Sequence, residues 1–208
     1  MNRPFAFFDF DGTLTVKDSL LPFLRKVSGS STFYKKILFH SPVLLGYLFK
    51  FIENHRAKEI ILSSFLSNKK ESDIREISKQ FAQDDLTIFL RSNGLQILRQ
   101  CQNEGFSCIL VSASPEIYLK YWAANYGFDD VIGTRLQIQN GILTGKIDGE
   151  NCYGEAKVRR IKALYGSHFP DSRAYSDSIA DSPMLRLVGS PYLLRHGVFC
   201  SFTEKKYG

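Results

Sequence analysis

The amino-acid sequence predicts an α/β fold, in which a doubly wound parallel sheet carries an inserted domain made only of helices. Three observations predict this class. From Leu86 onward, helical segments alternate with short apolar strands, which is the pattern of a parallel sheet with helical crossovers. Residues 17–84 show helical periodicity without a convincing strand. Polar residues stand at the carboxyl ends of three apolar strands, where the sites of such sheets form.

The first strand is the apolar run Phe5-Ala6-Phe7-Phe8, which Asp9 and Asp11 follow. Asp11 and Gly12 alone indicate no more than a turn, because Asp-Gly is a common turn pair. Asp9 is different, since an unpaired carboxylate at the tip of a strand buried on both faces is costly and its charge must be compensated. A hard cation such as Mg²⁺, which proteins hold through one or two carboxylates and a phosphate, would compensate it.

The helical segment at residues 17–84 is predicted from apolar residues at helical spacing. We expect it to be an all-helical cap domain, inserted into a catalytic core formed by residues 1–16 and 85–208. Its most apolar stretch, residues 35–52, is interrupted by polar residues and falls short of the roughly 18 clean apolar residues of a membrane span. No membrane-spanning helix is predicted.

The later elements continue the alternation and complete a Rossmann-like sheet. In order they are a helix over residues 86–105, a strand over 107–112, a helix from Pro115, a strand near Val131, a hairpin at Asn140-Gly141, a helix from Glu155, a strand over 173–177 and a helix from Pro183.

The strand ends predict where a site would form. Asp9, Ser112 and Asp177 each end an apolar strand, and Lys157 lies in the first turn of the helix from Glu155. Because parallel strands end at one edge of a sheet, these side chains are expected to converge there. Carboxylates, a hydroxyl and a lysine at one edge resemble a magnesium-dependent phosphoryl-transfer site.

Composition limits the partners and the location. The chain has 208 residues, of which 44% are hydrophobic, and a net charge of +6 that fits an anionic substrate, an anionic membrane or nucleic acid. The aromatic residues mostly follow buried periodicity, so no nucleic-acid partner is expected. The four cysteines lack metal-ligand or paired spacing, and the N-terminal apolar run is too short for a signal peptide, which predicts reduced thiols in a cytoplasmic protein. The four histidines show no metal-binding spacing.

Four segments, in order, resemble the motifs of the haloacid dehalogenase (HAD) superfamily. They are DFDGT at 9–13, LVSAS at 110–114, GEAK at 154–157 and YSDSIADSPML at 175–185. More narrowly, they are similar to subfamily IB, the branch that includes phosphoserine phosphatase and the bacterial phosphatidylglycerophosphate phosphatase C type. The chain departs from many relatives at Ser176, where they have Gly, and after residue 194, where they continue with an Asn-Pro segment.

The resemblance implies a phosphatase, a Mg²⁺-dependent phosphomonoester hydrolase that works through an aspartyl-phosphate. Asp9 would be the nucleophile and a metal ligand. Asp11 would protonate the leaving alcohol, then activate water, and bind the metal through its backbone carbonyl. Asp177 would be the second carboxylate on the metal.

The remaining core residues have roles and alternatives. Ser112, aided by the backbone at Ala113, would bind the phosphate, whereas Ser114 before Pro115 reads as a helix N-cap. Lys157 would offset the charge of the phosphate and Asp9. Asp181 either joins the metal site, orients the lysine or only caps a helix.

The cap leaves the substrate open. Asp18 lies where phosphoserine phosphatases hold the substrate's amino group, and Arg56 or Lys58 could hold its carboxylate. The apolar residues 37–52 and the nearby lysines suit an anionic lipid headgroup and a peripheral contact with an anionic membrane, or they bury one cap helix against another. A phosphotransferase or mutase with the same site and a non-enzymatic basic binding protein are the alternative classes. The oligomeric state is not predicted.

Overall fold

A computed structural model describes residues 3–203 as a mixed α/β protein. Within these residues one sheet has six strands: β1 (Phe5–Phe8), β2 (Ser107–Pro115), β3 (Asp130–Thr134), β6 (Phe169–Ser176), β7 (Val188–Arg195) and β8 (Val198–Ser201). A second, two-stranded sheet pairs β4 (Leu136–Gln139) with β5 (Ile142–Ile147). The order of the large sheet is β3-β2-β1-β6-β7-β8, and all its pairs are parallel except β7 with β8.

The α-helices of the described chain precede, separate and follow these strands. They are α1 (Leu20–Ser28), α2 (Ser30–Phe39), α3 (Ser41–Leu48), α4 (Asn54–Leu66), α5 (Glu71–Gln80), α6 (Ser92–Asn103), α7 (Glu116–Asn125), α8 (Glu155–Tyr165) and α9 (Ser182–Leu185). A π-helical turn (Phe81–Asp85) and two short 3-10 segments (Leu86–Phe89 and Ile179–Asp181) complete the secondary structure. No helix of residues 3–203 is long and apolar enough to cross a membrane.

The central strand explains why the sheet is covered on both faces. Successive residues of β1 point to opposite sides, and both Phe7 and Phe8 are fully buried. Phe8 belongs to a hydrophobic cluster with α6 and α7, whereas Phe7 belongs to a second cluster with α8 and α9. A strand that is apolar at every position is therefore the expected centre of this sheet. The predicted doubly wound fold class is confirmed.

The helices between β1 and α6 share one continuous hydrophobic cluster with the sheet. Phe23 of α1 contacts the rings of Phe81 and Tyr118 at 5.4 and 4.7 Å between centroids. The β4–β5 hairpin also packs on α4, because the Ser63 hydroxyl donates to the Gly145 carbonyl at 3.0 Å. A hairpin that lies outside residues 17–84 therefore packs against the helical insert. The domain boundaries stay a prediction, and residues 1–2 and 204–208 of the predicted core lie outside the described chain.

Two of the predicted elements differ in the structure. The helix expected over residues 86–105 is divided into the 3-10 segment Leu86–Phe89 and helix α6. The break occurs because Leu90 forms a β-bridge with Thr15, which follows β1. Strand β2 continues to Pro115, which pairs with Thr134. Helix α7 therefore starts at Glu116 with Pro115 as its N-cap. The prediction of Ser114 as an N-cap is wrong.

Candidate active site

A cavity of about 190 Å³ lies at the carboxyl ends of β1, β2 and β6. Its lining includes nine of the ten residues predicted for the site: Asp9, Asp11, Asp18, Lys58, Ser112, Ala113, Lys157, Asp177 and Asp181. Leu20, Ser114, Tyr153 and Ser178 also line it. The strand-end argument thus brings the predicted side chains to one place, with a contribution from the helical insert through Lys58 on α4.

Lys157 lies between two carboxylates at the floor of this cavity. Its Nζ atom is 2.6 Å from Asp9 Oδ1 and 2.7 Å from Asp181 Oδ2, and all three side chains are buried. Burial lowers the pKa of Lys157, but the carboxylates of Asp9 and Asp181 raise it by more, so the net direction is upward. The lysine is therefore a permanent cation in this position.

Asp9 and Asp11 differ from exposed aspartates in their protonation. Burial raises the pKa of Asp9 to about 7, against the lowering effect of Lys157 and with a further rise from Asp181 and Asp177. Burial also raises the pKa of Asp11 to about 6, with a second contribution from Asp18. Both carboxyl groups are buried where a negative charge is costly. A cation bound beside them would stabilise their ionised forms.

Thr13 links the two carboxylates expected to hold the metal. Its Oγ1 atom lies 3.0 Å from Asp9 Oδ2 and 3.0 Å from Asp177 Oδ1, and it accepts the Asp177 backbone N–H at 2.9 Å. Gly12 has a φ of +80°, and a Cβ there would lie 2.1 Å from Asp177 Oδ2. Thr13 is not among the predicted site residues, because only the fold shows that β1 and β6 place it between Asp9 and Asp177.

The carboxylates of Asp11 and Asp181 form hydrogen bonds with neighbouring residues other than Thr13, which lies between Asp9 and Asp177. The Asp11 carboxylate accepts the Ser19 N–H at 2.7 Å and the Ser114 hydroxyl at 2.5 Å. Asp181 accepts the Ser176 hydroxyl at 2.8 Å in addition to Lys157 and makes no side-chain cap bond to α9. Of the alternatives for Asp181, orientation of the lysine is the one its contacts match.

The donor set fits Mg²⁺ through a subset of the predicted ligands. Within residues 3–203, no three His, Cys, Asp or Glu side chains gather closely enough to hold a metal ion by themselves. Asp9 and Asp177 nevertheless supply hard oxygen donors around one hydroxyl, and Mg²⁺ is usually held by one or two carboxylates together with phosphate and water. Of the four predicted ligands, Asp9 and Asp177 place carboxylates around that hydroxyl, whereas the carboxylates of Asp11 and Asp181 have other partners. Asp11 could contribute only through its backbone, as the resemblance implies.

Ser112 and Ala113 form the wall of the cavity at the carboxyl end of β2. The buried Ser112 hydroxyl accepts the Ser114 N–H at 3.0 Å, which leaves its own proton available for another acceptor in the cavity. The Ala113 carbonyl accepts from Lys58 Nζ and from Thr134 Oγ1, at 2.5 Å in each case. This carbonyl is fixed from two sides, so the carboxyl end of β2 has a defined position.

The insert contributes Lys58 and not Arg56. Lys58 also donates to Asn151 Oδ1 at 3.1 Å, and burial lowers its pKa to about 8 against the raising effects of Asp18 and Asp11. Arg56 is exposed and lies in a separate surface depression with Phe51. Residues two apart on a helix do not share a face, so α4 can direct only one of the two to the cavity. Asp18 lines the cavity and accepts the Leu20 N–H at 2.8 Å.

Known proteins similar to this chain include members of one hydrolase family and a protein named as a phosphatase. The family model of the haloacid dehalogenase-like hydrolases matches residues 6–186. Protein CicA of Caulobacter vibrioides is 32% identical over 182 residues, which cover 87% of this chain and 81% of that protein. A Mycobacterium tuberculosis protein named "Probable phosphatase Rv3661" is 27% identical over 193 residues, covering 90% of this chain and 67% of that protein.

Solved structures show the same fold. A Bordetella pertussis protein of unknown function has a TM-score of 0.80 at 25% identity, covering 92% of this chain and 89% of that one. A phosphoserine phosphatase that carries an analogue of its phospho-aspartyl intermediate has a TM-score of 0.63 at 18% identity, covering 92% and 86%. At that identity the second likeness is one of fold.

Proposed function

This chain belongs to the haloacid dehalogenase-like hydrolases and is a phosphatase of that family, and on this basis we propose that it hydrolyses phosphomonoesters through an aspartyl-phosphate at Asp9, with Mg²⁺ at the site. The observation that carries the proposal is the buried Lys157 ammonium within 2.6 Å of Asp9 and 2.7 Å of Asp181. A fixed cation beside a carboxylate permits a phosphate dianion to approach that carboxylate.

The proposed reaction has two steps. An oxygen of Asp9 attacks phosphorus, the bond from phosphorus to the alcohol oxygen breaks, and Asp11 gives its proton to that oxygen. Water then attacks phosphorus, its proton passes to Asp11, and Asp9 leaves as a carboxylate. The Ser112 hydroxyl, which accepts the Ser114 N–H, would donate a hydrogen bond to a phosphoryl oxygen. Mg²⁺ bound to Asp9 and Asp177 would withdraw charge from the phosphoryl oxygens.

The test of this function is metal-dependent release of inorganic phosphate from a panel of phosphomonoesters. We expect release with Mg²⁺, none after chelation, and poor activity with Ca²⁺, which takes more and looser ligands. Asp9→Asn should lose all turnover and remain folded, since an amide cannot form the acyl-phosphate. Asp171→Asn, at an exposed position of β6, is the matched control and should keep full activity.

Three outcomes would contradict the proposal. Turnover by Asp9→Asn would exclude Asp9 as the nucleophile. Transfer of the phosphoryl group to an added alcohol without release of phosphate would indicate the phosphotransferase or mutase alternative. Absence of turnover with every ester would favour the non-enzymatic binding protein.

For the substrate class, an exposed apolar surface on the insert favours a lipid phosphate. The side chains of Leu38, Phe39, Leu48, Phe49 and Phe51 are 76%, 79%, 70%, 68% and 86% exposed. We call these five residues the apolar tip. They lie at the end of α2 and around the end of α3, and none of the five is buried between helices. Exposed apolar side chains in this number on one segment of the insert are typical of an interaction surface.

A second cavity lies beside the cavity that contains Asp9 and is lined in part by α3. Its volume is about 340 Å³, and Leu44, Tyr47 and Ile61 are among its lining residues. It shares Asp18 and Lys58 with the cavity that contains Asp9. A phosphate ester could thus place its phosphate at Asp9 and an apolar part along α3, whereas phosphoserine would need no such space.

The charge around the apolar tip fits an anionic bilayer as its partner. Lys35, Lys50 and Arg56 are exposed beside it, and the chain carries a net charge of +6. Each basic residue near an anionic membrane surface contributes attraction of about 1 kcal/mol. We therefore propose a peripheral contact in which the apolar tip enters the bilayer surface, and Arg56 contributes to this contact rather than to the substrate pocket.

The test combines vesicle binding with activity on two substrates. Wild-type protein should bind vesicles that contain anionic lipid more tightly than zwitterionic ones, and binding should weaken with salt. The variant Leu48→Ser, Phe49→Ser, Phe51→Ser should lose this binding and activity on phosphatidylglycerophosphate, but keep activity on an aryl phosphate. Ile88→Ser is the control, because Ile88 is equally exposed and outside the apolar tip. An equal loss of activity on both substrates in the triple variant would contradict the lipid assignment. Turnover of phosphoserine by a wild-type protein that does not bind vesicles would also contradict it.

A further inference from the structure

Three buried hydroxyl groups lead from helix α7 to the carboxyl group of Asp11. The Tyr118 phenol is 2.8 Å from Ser19 Oγ, Ser19 Oγ is 3.2 Å from Ser114 Oγ, and the Ser114 hydroxyl donates to Asp11 Oδ2 at 2.5 Å. Tyr118, Ser19 and Ser114 are at most 3% exposed. We call these three residues the hydroxyl chain. None of them belongs to the predicted site.

The Asp11 carboxylate at the end of the hydroxyl chain determines which hydroxyl donates to which. A hydroxyl has one proton to donate, whereas an ionised carboxylate only accepts. With Asp11 ionised, Ser114 donates to Asp11, Ser19 donates to Ser114, and Tyr118 donates to Ser19. Ser114 and Ser19 then each donate and accept one hydrogen bond, and Tyr118 donates one, so all three buried hydroxyl groups have a partner.

Ser19 holds Asp11 a second time through the backbone. Its N–H donates to Asp11 Oδ1 at 2.7 Å, so the two oxygens of the carboxylate are bound by two different groups. A carboxylate held at both oxygens cannot rotate about its last bond without breaking a buried hydrogen bond. Ser19 also directly precedes α1, the first helix of the insert. The orientation of Asp11 is therefore tied to the point where the insert begins.

We propose that Ser114, Ser19 and Tyr118 are positioning residues that aim the Asp11 carboxyl at the oxygen of the leaving alcohol. The proposal rests on the proposed function, because it assigns these residues a task in proton donation by Asp11. Without them Asp11 would rotate, the alcohol oxygen would leave with less proton transfer, and substrates with a basic leaving group would suffer most.

The experiment measures kcat/KM for a series of phosphomonoesters whose leaving groups range from acidic phenols to alkyl alcohols. The ratio kcat/KM includes only the steps up to departure of the alcohol, so it excludes the later attack of water. Ser114→Ala should lower kcat/KM about 10-fold or more for an alkyl phosphate, which is part of the roughly 100- to 10,000-fold that proton transfer contributes, and much less for nitrophenyl phosphate. Ser114→Thr, which keeps a hydroxyl, should restore the activity on alkyl phosphates.

Two control variants separate positioning from general loss of stability. Ser78→Ala removes a buried hydroxyl that has no hydrogen-bond partner in the described chain, and Tyr121→Phe removes a phenol from α7 outside the hydroxyl chain. Both should leave the leaving-group dependence unchanged. Tyr118→Phe should increase that dependence in the same sense as Ser114→Ala, with a smaller effect because it is two hydrogen bonds from Asp11.

The outcomes distinguish this inference from the proposed function. A uniform loss across all leaving groups, or no loss in folded Ser114→Ala and Tyr118→Phe, would overturn the positioning role. If Ser114→Ala does not fold, Tyr118→Phe is the variant that should increase the leaving-group dependence, and Ser114→Thr, which keeps the hydroxyl, is the variant that should not. Wild-type protein without metal-dependent turnover would instead contradict the proposed function itself.

Discussion

At the scale of single residues, Gly12 shows how a turn residue becomes part of a site. As a sequence feature it indicates only a turn after β1. In the structure its φ is +80°, and a Cβ would meet Asp177 Oδ2 at 2.1 Å. Both the backbone conformation and the space beside Asp177 therefore require glycine. The positive φ affects the stability of the fold, because other residues are strained in that conformation. The space beside Asp177 affects the position of the two carboxylates that Thr13 links.

We predict that Gly12→Ala lowers kcat/KM at least about 100-fold, because displacement of a catalytic group by about 1 Å has effects of that size. Gly141→Ala is the matched control, since Gly141 has a φ of +74° and a Cβ added there would meet nothing within 4 Å. Both variants should lose about 1 kcal/mol of stability from the backbone strain. Steady-state kinetics and thermal unfolding measure the two effects. Equal activities of the two alanine variants would contradict a role for the space beside Asp177.

The sequence predicts the site residues that end strands and misses those that only the fold brings near. Asp9, Ser112 and Asp177 follow apolar strands, and the geometry of parallel sheets is enough to group them. For Ser114, the local rule that serine before proline caps a helix predicts the wrong role. Pairing of Pro115 with Thr134 extends β2 past that position, so a tertiary contact overrides the local preference.

At the scale of elements, Asn151 joins helix α4 to the core. It is buried, its Oδ1 atom accepts from Lys58 at 3.1 Å and from Thr134 at 2.8 Å, and its Nδ2 group donates to Asn54. Its backbone N–H donates to His55 Nδ1 at 3.3 Å. One side chain thus connects the start of α4, Lys58 and the β3 end of the sheet.

We predict that Asn151→Ala raises KM more than it lowers kcat. The substitution removes the Lys58 acceptor on the cavity side of α4 but leaves Asp9 and Lys157 untouched. It should also cost about 1–3 kcal/mol of unfolding free energy, because buried donors lose their partner. Urea unfolding and steady-state kinetics on an aryl phosphate would measure both. Asn103→Ala, at an exposed position at the end of α6, should change neither. A fall in kcat alone would contradict this role.

Element types are predictable where periodicity is strong, and their junctions are not. The helices of the insert and the strands β1, β2 and β6 follow from their apolar spacing. The break at Leu90 does not, because it arises from a bridge to Thr15, 75 positions earlier in the chain. The association of the β4–β5 hairpin with α4 depends on contacts such as Ser63 with Gly145, which are 82 positions apart. Such long-range pairs leave no periodic signal in the sequence.

At the scale of the whole molecule, the buried carboxyls connect stability to pH and to the metal. Asp9 and Asp11 have pKa values of about 7 and about 6 in the folded protein, chiefly because of burial, against an ordinary value of 3.8. Between pH 4 and 7 the folded state therefore retains protons that the unfolded chain has released. The stabilising contribution of these protons is complete below pH 3.8 and is lost as the pH rises through about 6 and about 7.

We predict that the increase in Tm caused by Mg²⁺ grows between pH 5.5 and pH 8. Mg²⁺ requires ionised carboxylates, so it competes with the protons on the metal-free protein at the acid end and meets no such competition at the alkaline end. Thermal unfolding is measured with and without Mg²⁺ at each pH across this range. Because the two Tm values are subtracted, the titration of groups that do not respond to the metal cancels. Asp9→Asn should have a smaller increase that depends less on pH. Asp171→Asn, far from the cavity, should behave as the wild type does. An increase in Tm that is the same at pH 5.5 and pH 8 would show that metal binding is not linked to ionisation of these carboxyls, and it would contradict the assignment of Asp9 as a ligand.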